Sequence, residues 1–67
     1  MKGRIRFFSE DRGYGFIEPD DQGADIFVHI SQIVAGGKPD KNERCIFDVA
    51  DNPRNGRPMA TNVFLGG

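Results

Sequence analysis

At 67 residues, with 37% hydrophobic and 28% charged side chains, the chain fits one small folded domain and is too apolar for general disorder. Its single cysteine excludes an internal disulfide, and no leader-like pattern or membrane-length apolar run is found, which favours the cytoplasm. Nine Lys plus Arg against ten Asp plus Glu give a net charge of −1, so a uniformly basic nucleic-acid-binding surface is excluded and any positive patch must be local.

In chain order the predicted elements are strands separated by turns. Lys2 to Phe8 reads as the first strand, with Lys2, Arg4 and Arg6 on one face and Ile5 on the other. Ser9-Glu10-Asp11-Arg12-Gly13 is a polar turn, and the second strand continues to about Glu18. Within it the run Arg12-Gly13-Tyr14-Gly15-Phe16-Ile17 puts Tyr14, Phe16 and Glu18 on one face and Ile17 on the other. Ile17 belongs in a core, so two aromatic rings must face water beside Arg12. The glycines allow curvature and let a ligand approach the backbone.

Pro19-Asp20-Asp21-Gln22-Gly23 ends the second strand with strong turn chemistry. Ile26 to Ile30 is the third strand, alternating Ile26, Val28 and Ile30 against Phe27 and His29. Ser31 to Val34 suits one short helical turn, and Ala35 to Glu43 is a loop. Arg44 to Ala50 is the fourth strand, with Cys45, Phe47 and Val49 on its apolar side. Asp51 to Gly56 is a second loop carrying an Asn-Gly turn signal, and Pro58 to Leu65 is the fifth strand. Short strands without a long helix argue for a small closed or nearly closed all-β barrel. Its expected core is Ile5, Ile17, Ile26, Val28, Ile33, Cys45, Phe47, Val49 and Val63.

Catalysis lacks parts. The one His and the one Cys fall on opposite faces of different strands, no Cys/His spacing fits a metal, and the glycine run lacks the helix and Lys of a phosphate-cradling loop. No enzyme activity, metal or cofactor is expected. Exposed rings next to a cation suit unpaired bases, by stacking for the base and charge for the phosphate.

These residues carry a resemblance. Arg12 to Ile17 looks like the first ribonucleoprotein motif and Ile26-Phe27-Val28-His29-Ile30 like the second. With the Arg4-Ile5-Arg6-Phe7-Phe8 opening and Asn62-Val63, nearly the whole chain resembles the bacterial cold-shock domain family. The resemblance implies a small five-stranded antiparallel OB-type barrel that binds single-stranded RNA and DNA and melts RNA secondary structure by capturing open strands, without catalysis. It also implies that Phe7 faces the nucleic acid. Simple alternation would send Phe7 inward with Ile5, so a bulge between Arg6 and Phe8 is required.

The site expected from residues and resemblance together comprises Arg6, Phe7, Arg12, Tyr14, Phe16, Phe27, His29, Ile30, Lys38 and Arg57. Phe7 stands where the family usually has Trp, Ile30 replaces a Phe, and Ala35 to Pro39 offers no ring where the family usually has one. The loop before the fifth strand is longer, adding Arg54 and Arg57 around Asn55-Gly56. Expected partners are single-stranded RNA and DNA, pyrimidine-rich, bound by a monomer, with a strand-exchanged dimer as the alternative state. A protein-interaction barrel, favoured by a pI near 5.6, is the rival class. An RNA-recognition-motif domain needs two helices and more residues.

Overall fold

Strands β1 (Lys2–Ser9) and β2 (Tyr14–Pro19) form an antiparallel hairpin whose register breaks once. In the computed structural model, which describes residues 1–66, Ile5 stands opposite Ile17 and Phe7 opposite Phe16, so Arg6 is an extra residue in the ladder. This is the bulge that the position of Phe7 demanded, centred one residue earlier than expected. It turns Phe7 outward, 50% exposed, while Ile5 stays fully buried.

The remaining elements are β3 (Ile26–His29), a 3₁₀ turn (Ile30–Gln32), β4 (Ile33–Ala35), β5 (Arg44–Asp51) and β6 (Pro58–Leu65). The strand order is β3-β2-β1-β5-β6-β4, and an additional β3–β6 pairing closes five strands into an OB-like barrel. Closure is made by a parallel pairing of Phe27 with Met59, so the barrel is antiparallel except at that seam. Two boundaries differ from the sequence reading. Ile30 leaves the third strand for the 3₁₀ turn, because the His29 ring accepts the Ser31 backbone N–H and caps a turn there. Ile33 and Ala35, expected in a helical turn and a loop, instead form a short sixth strand, parallel to β6.

The core consists of Ile5, Ile17, Ile26, Val28, Cys45, Phe47, Ala60, Val63 and Leu65, with Phe8 and Ile33 packed against it. Val49 is the misplaced member, at 39% exposure. β1 pairs with β5 only as far as Ile46, so Val49 has β6 on one flank and no β1 pairing on the other. Ala60 gains its place through a second irregularity, between the Ile46–Phe64 and Asp48–Thr61 pairs. Asn62 sits there at φ 50°, a left-handed conformation that Asn tolerates better than most residues, and its side-chain amide donates to Asp48 Oδ2 at 3.4 Å. The shift sends Ala60, Val63 and Leu65 inward and Phe64 outward beside Ile46.

Candidate nucleic-acid interface

The bulge in β1 and the parallel seam between β3 and β6 together build one outward row of side chains. Phe7 pairs with Phe16, Phe16 with Phe27, Phe27 with Met59, and Met59 with Ala50, so the row crosses all five barrel strands. Directly paired residues share a face of the sheet, so this row is continuous. Tyr14 pairs with His29 in the next row. The Tyr14 and Phe27 rings lie 5.7 Å apart at 33°, and the Phe16 and Phe27 rings 6.0 Å apart at 73°. Both separations fall in the range of favourable aromatic pairs. Phe27 is therefore the hub of the cluster, half-buried among its neighbours, while Phe7, Phe16 and His29 are exposed.

Gly15 explains how β2 comes so close to the bulged strand. A Cβ at this position would overlap the Phe7 carbonyl oxygen and stand 2.7 Å from Phe8 Cα. Gly13, at φ 75°, makes the turn before it, and its carbonyl accepts the Ile30 N–H at 2.8 Å. That bond ties the turn carrying Arg12 to the 3₁₀ turn carrying Ile30. Ile30, 49% exposed, lines a shallow concavity with Phe8, Ile33, Lys38 and Pro39. Arg57 lines another, against Phe16, Phe27 and Asp25.

His29 is fixed by its neighbours. The Ser31 backbone N–H donates to Nδ1 at 3.1 Å, and Ser31 Oγ lies 2.9 Å from the same nitrogen. An accepting Nδ1 assigns the ring proton to Nε2, which leaves that N–H free to donate to a ligand.

Charges divide into two sets. The Arg6 Nε lies 2.9 Å from Asp25 Oδ2, and its Nη2 lies 3.4 Å from Glu18. Arg4 also reaches Glu18, and Arg44 grips both Asp20 oxygens at 2.8 and 3.0 Å. That hydrogen bond, with the guanidinium charge, holds the Asp20 carboxyl below its usual range. Glu18, Asp20 and Asp25 thus occupy Arg4, Arg6 and Arg44, whereas Arg12, Lys38, Arg54 and Arg57 have no carboxylate partner among the described residues. Arg6 is the expected site residue that lies in the occupied set.

Sequence reasoning missed Met59, Asn52 and Asn55. Met59 enters the row through a pairing between distant strands, which leaves no local signal, and the asparagines read only as turn formers. They are turn formers, since Asn52 Oδ1 accepts the Arg54 N–H and Asn55 Oδ1 the Arg57 N–H, each at 2.9 Å. Both also line the concavity beside Phe16 and Phe27. Cys45 is buried, as its alternation required, and burial pushes its thiol up to about 11. Among the described residues no helix is long and apolar enough to cross a membrane, and no cluster of His, Cys, Asp or Glu has the arrangement of a metal site.

Comparison with known proteins matches this arrangement to one family. The model of the 'Cold-shock' DNA-binding domain matches residues 1–65. The chain is 39% identical to a cold shock protein of Arthrobacter globiformis, with 96% of each chain covered. It is 40% identical to the cold shock-like protein CspC of Bacillus cereus, covering 94% of this chain and 95% of that one. A cold shock-like protein CspC of Buchnera aphidicola is 38% identical, over 96% of this chain and 93% of its own. The chain belongs to the cold-shock domain family, whose members bind nucleic acid.

Proposed function

We infer that this protein binds single-stranded RNA and DNA, preferring pyrimidine-rich strands, and acts as an ATP-independent RNA chaperone. The observation that carries the reading is the outward row Phe7–Phe16–Phe27–Met59, flanked by Tyr14 and His29. Bases of an open strand stack on these side chains, and a paired duplex hides the faces they need. Arg12, Lys38 and Arg57 neutralise phosphates along the track. Arg6 acts differently, by neutralising Asp25 and Glu18 beside the row. The protein works as a single domain and a monomer.

Stacking is worth about 1–3 kcal/mol per base, so the four platforms Tyr14, Phe16, Phe27 and His29 offer about 4–12 kcal/mol before ordering costs. Micromolar binding corresponds to about −8 kcal/mol, which places the expected dissociation constant at micromolar or somewhat below. Binding to the open strand alone shifts a hairpin equilibrium by about 2.7 kcal/mol at a hundredfold excess over Kd. A stacked DNA step is worth about 1.4 kcal/mol on average, so the shift offsets a couple of steps. Hairpins with fluorophore and quencher at their ends and progressively longer stems test this. The weakest should open with added protein and no ATP, and long GC-rich stems should stay closed. A weak hairpin that remains closed at saturating protein would remove the chaperone role.

A further inference from the structure

We propose that the seam between β3 and β6 carries a base-reading subsite selective for the N7/O6 edge of guanine. This rests on the single-strand reading above and deepens it. The concavity lies on the side of Phe27 away from Phe7 and is lined by Phe27, His29, Gln32, Asn52, Arg54 and Met59. It shares Phe27 and Asn52 with the concavity that holds Arg57, so a strand running along the aromatic row passes its mouth.

Of the polar groups around it, Asn52, His29 and Arg54 present donors, while Ser31 and Gln32 can either donate or accept. Asn52 spends its side-chain oxygen on the Arg54 N–H, which leaves its amide N–H groups. His29 spends Nδ1 on Ser31, which leaves Nε2–H. Arg54 has a guanidinium with no carboxylate partner among the described residues. A donor-rich wall calls for adjacent acceptors; guanine presents N7 and O6 on its major-groove edge and unpaired cytosine N3 and O2 on its pairing edge, and of the two only guanine brings a second ring to lie against Phe27 and Met59. Adenine puts a donor beside N7, and thymine and cytosine have no N7. Phe27 and Met59 supply the apolar wall for the ring. Arg54 is the residue placed to make the fork contact, because a guanidinium matches this edge with two parallel N–H bonds.

The test uses oligo-dT strands carrying one guanine at successive positions, then inosine or 7-deazaguanine at the best one. One position should favour guanine over thymine by at least about fivefold, the lower end of what a bidentate base contact gives. Inosine, which keeps N7 and O6, should bind like guanine, and 7-deazaguanine should fall back to thymine. In Arg54→Ala the guanine-to-thymine affinity ratio should drop to near one, with the circular dichroism spectrum of the native protein retained. No favoured position, or equal binding of guanine and 7-deazaguanine, would overturn the proposal. So would an Arg54→Ala variant that weakens both strands equally, since that is a phosphate contact. Oligo-dT that fails to bind at all would overturn the single-strand reading first.

Discussion

Phe7 and Phe16 stand directly opposite one another across β1 and β2 because Arg6 is inserted into the ladder between Ile5 and Phe7. The inserted residue does two things at once. It reverses the facing of every β1 side chain that follows, and it aims its own guanidinium at Asp25 and Glu18. A hydrophobic ring that would have filled the core joins the surface row instead.

Removing the hub of that row should hurt binding more than stability. Phe27→Ala deletes the ring that touches both Tyr14 and Phe16 on the outward face, leaving Ile26 and Val28 in the core. Loss of one stacking platform should weaken binding to a short oligo-dT at least about tenfold. Fluorescence titration alongside circular dichroism checks it; a folded variant with unchanged affinity would mean that bases stack elsewhere.

Salt dependence separates the two sets of cations. With Arg12, Lys38 and Arg57 available, the log–log salt slope for a single strand should be about −2, at about −0.7 per phosphate contact. Arg12→Ala should flatten it by less than one unit, whereas Arg6→Ala should leave it nearly unchanged, because Arg6 is held by carboxylates. Equal flattening by both substitutions would show that Arg6 leaves its partners for the nucleic acid.

Gly15→Ala tests the close approach of β2 to the bulge. The added methyl meets backbone, the Phe7 carbonyl and Phe8 Cα, which cannot rotate away. The expected loss is about 3 kcal/mol, the upper end of overpacking costs. In a domain of this size that lowers the thermal midpoint by at least about 10 °C. A midpoint within a few degrees of the parent would show that β1 relaxes without penalty.

Two titrations contribute to the pH dependence of stability, with opposite signs. The folded state holds the Cys45 proton more tightly than the unfolded chain, so this contribution is intact below the ordinary thiol range and fades as pH rises toward about 11. Asp20 is lowered by Arg44, so its contribution is present above the ordinary carboxylate range and lost as pH falls through the depressed value. Denaturant melts across pH, with Arg44→Met and Cys45→Ala as comparisons, should show the acid limb shrink in the first and the alkaline limb shrink in the second. For the same reason Cys45 should resist thiol reagents at neutral pH until the protein is unfolded.

Much of this was legible in the sequence, for a local reason. Strands β1, β2, β3, β5 and β6 announce themselves through period-two alternation bounded by Gly, Pro, Asn and Asp, and the outward rings of Tyr14, Phe16 and Phe27 follow from burial of Ile17, Ile26 and Val28. What was hidden depends on partners far along the chain. Alternation alone sends Phe7 inward, and only the family resemblance required a bulge. Val49 reads as core because nothing local reveals that β1 stops pairing at Ile46. Met59 joins the site through Phe27, and Arg6 is held by Asp25, nineteen positions away. Pairings of this kind leave no periodic trace.

The most direct test of the whole account is a titration of fluorescently labelled oligo-dT against a duplex of equal length, at one fixed salt concentration. Stacking on the Phe7–Phe16–Phe27 row needs exposed base faces, so the single strand should bind at micromolar affinity or better and the duplex far more weakly. Equal affinity for the two, or binding to neither, would contradict a surface built for open bases and favour the protein-interaction reading of the same apolar row.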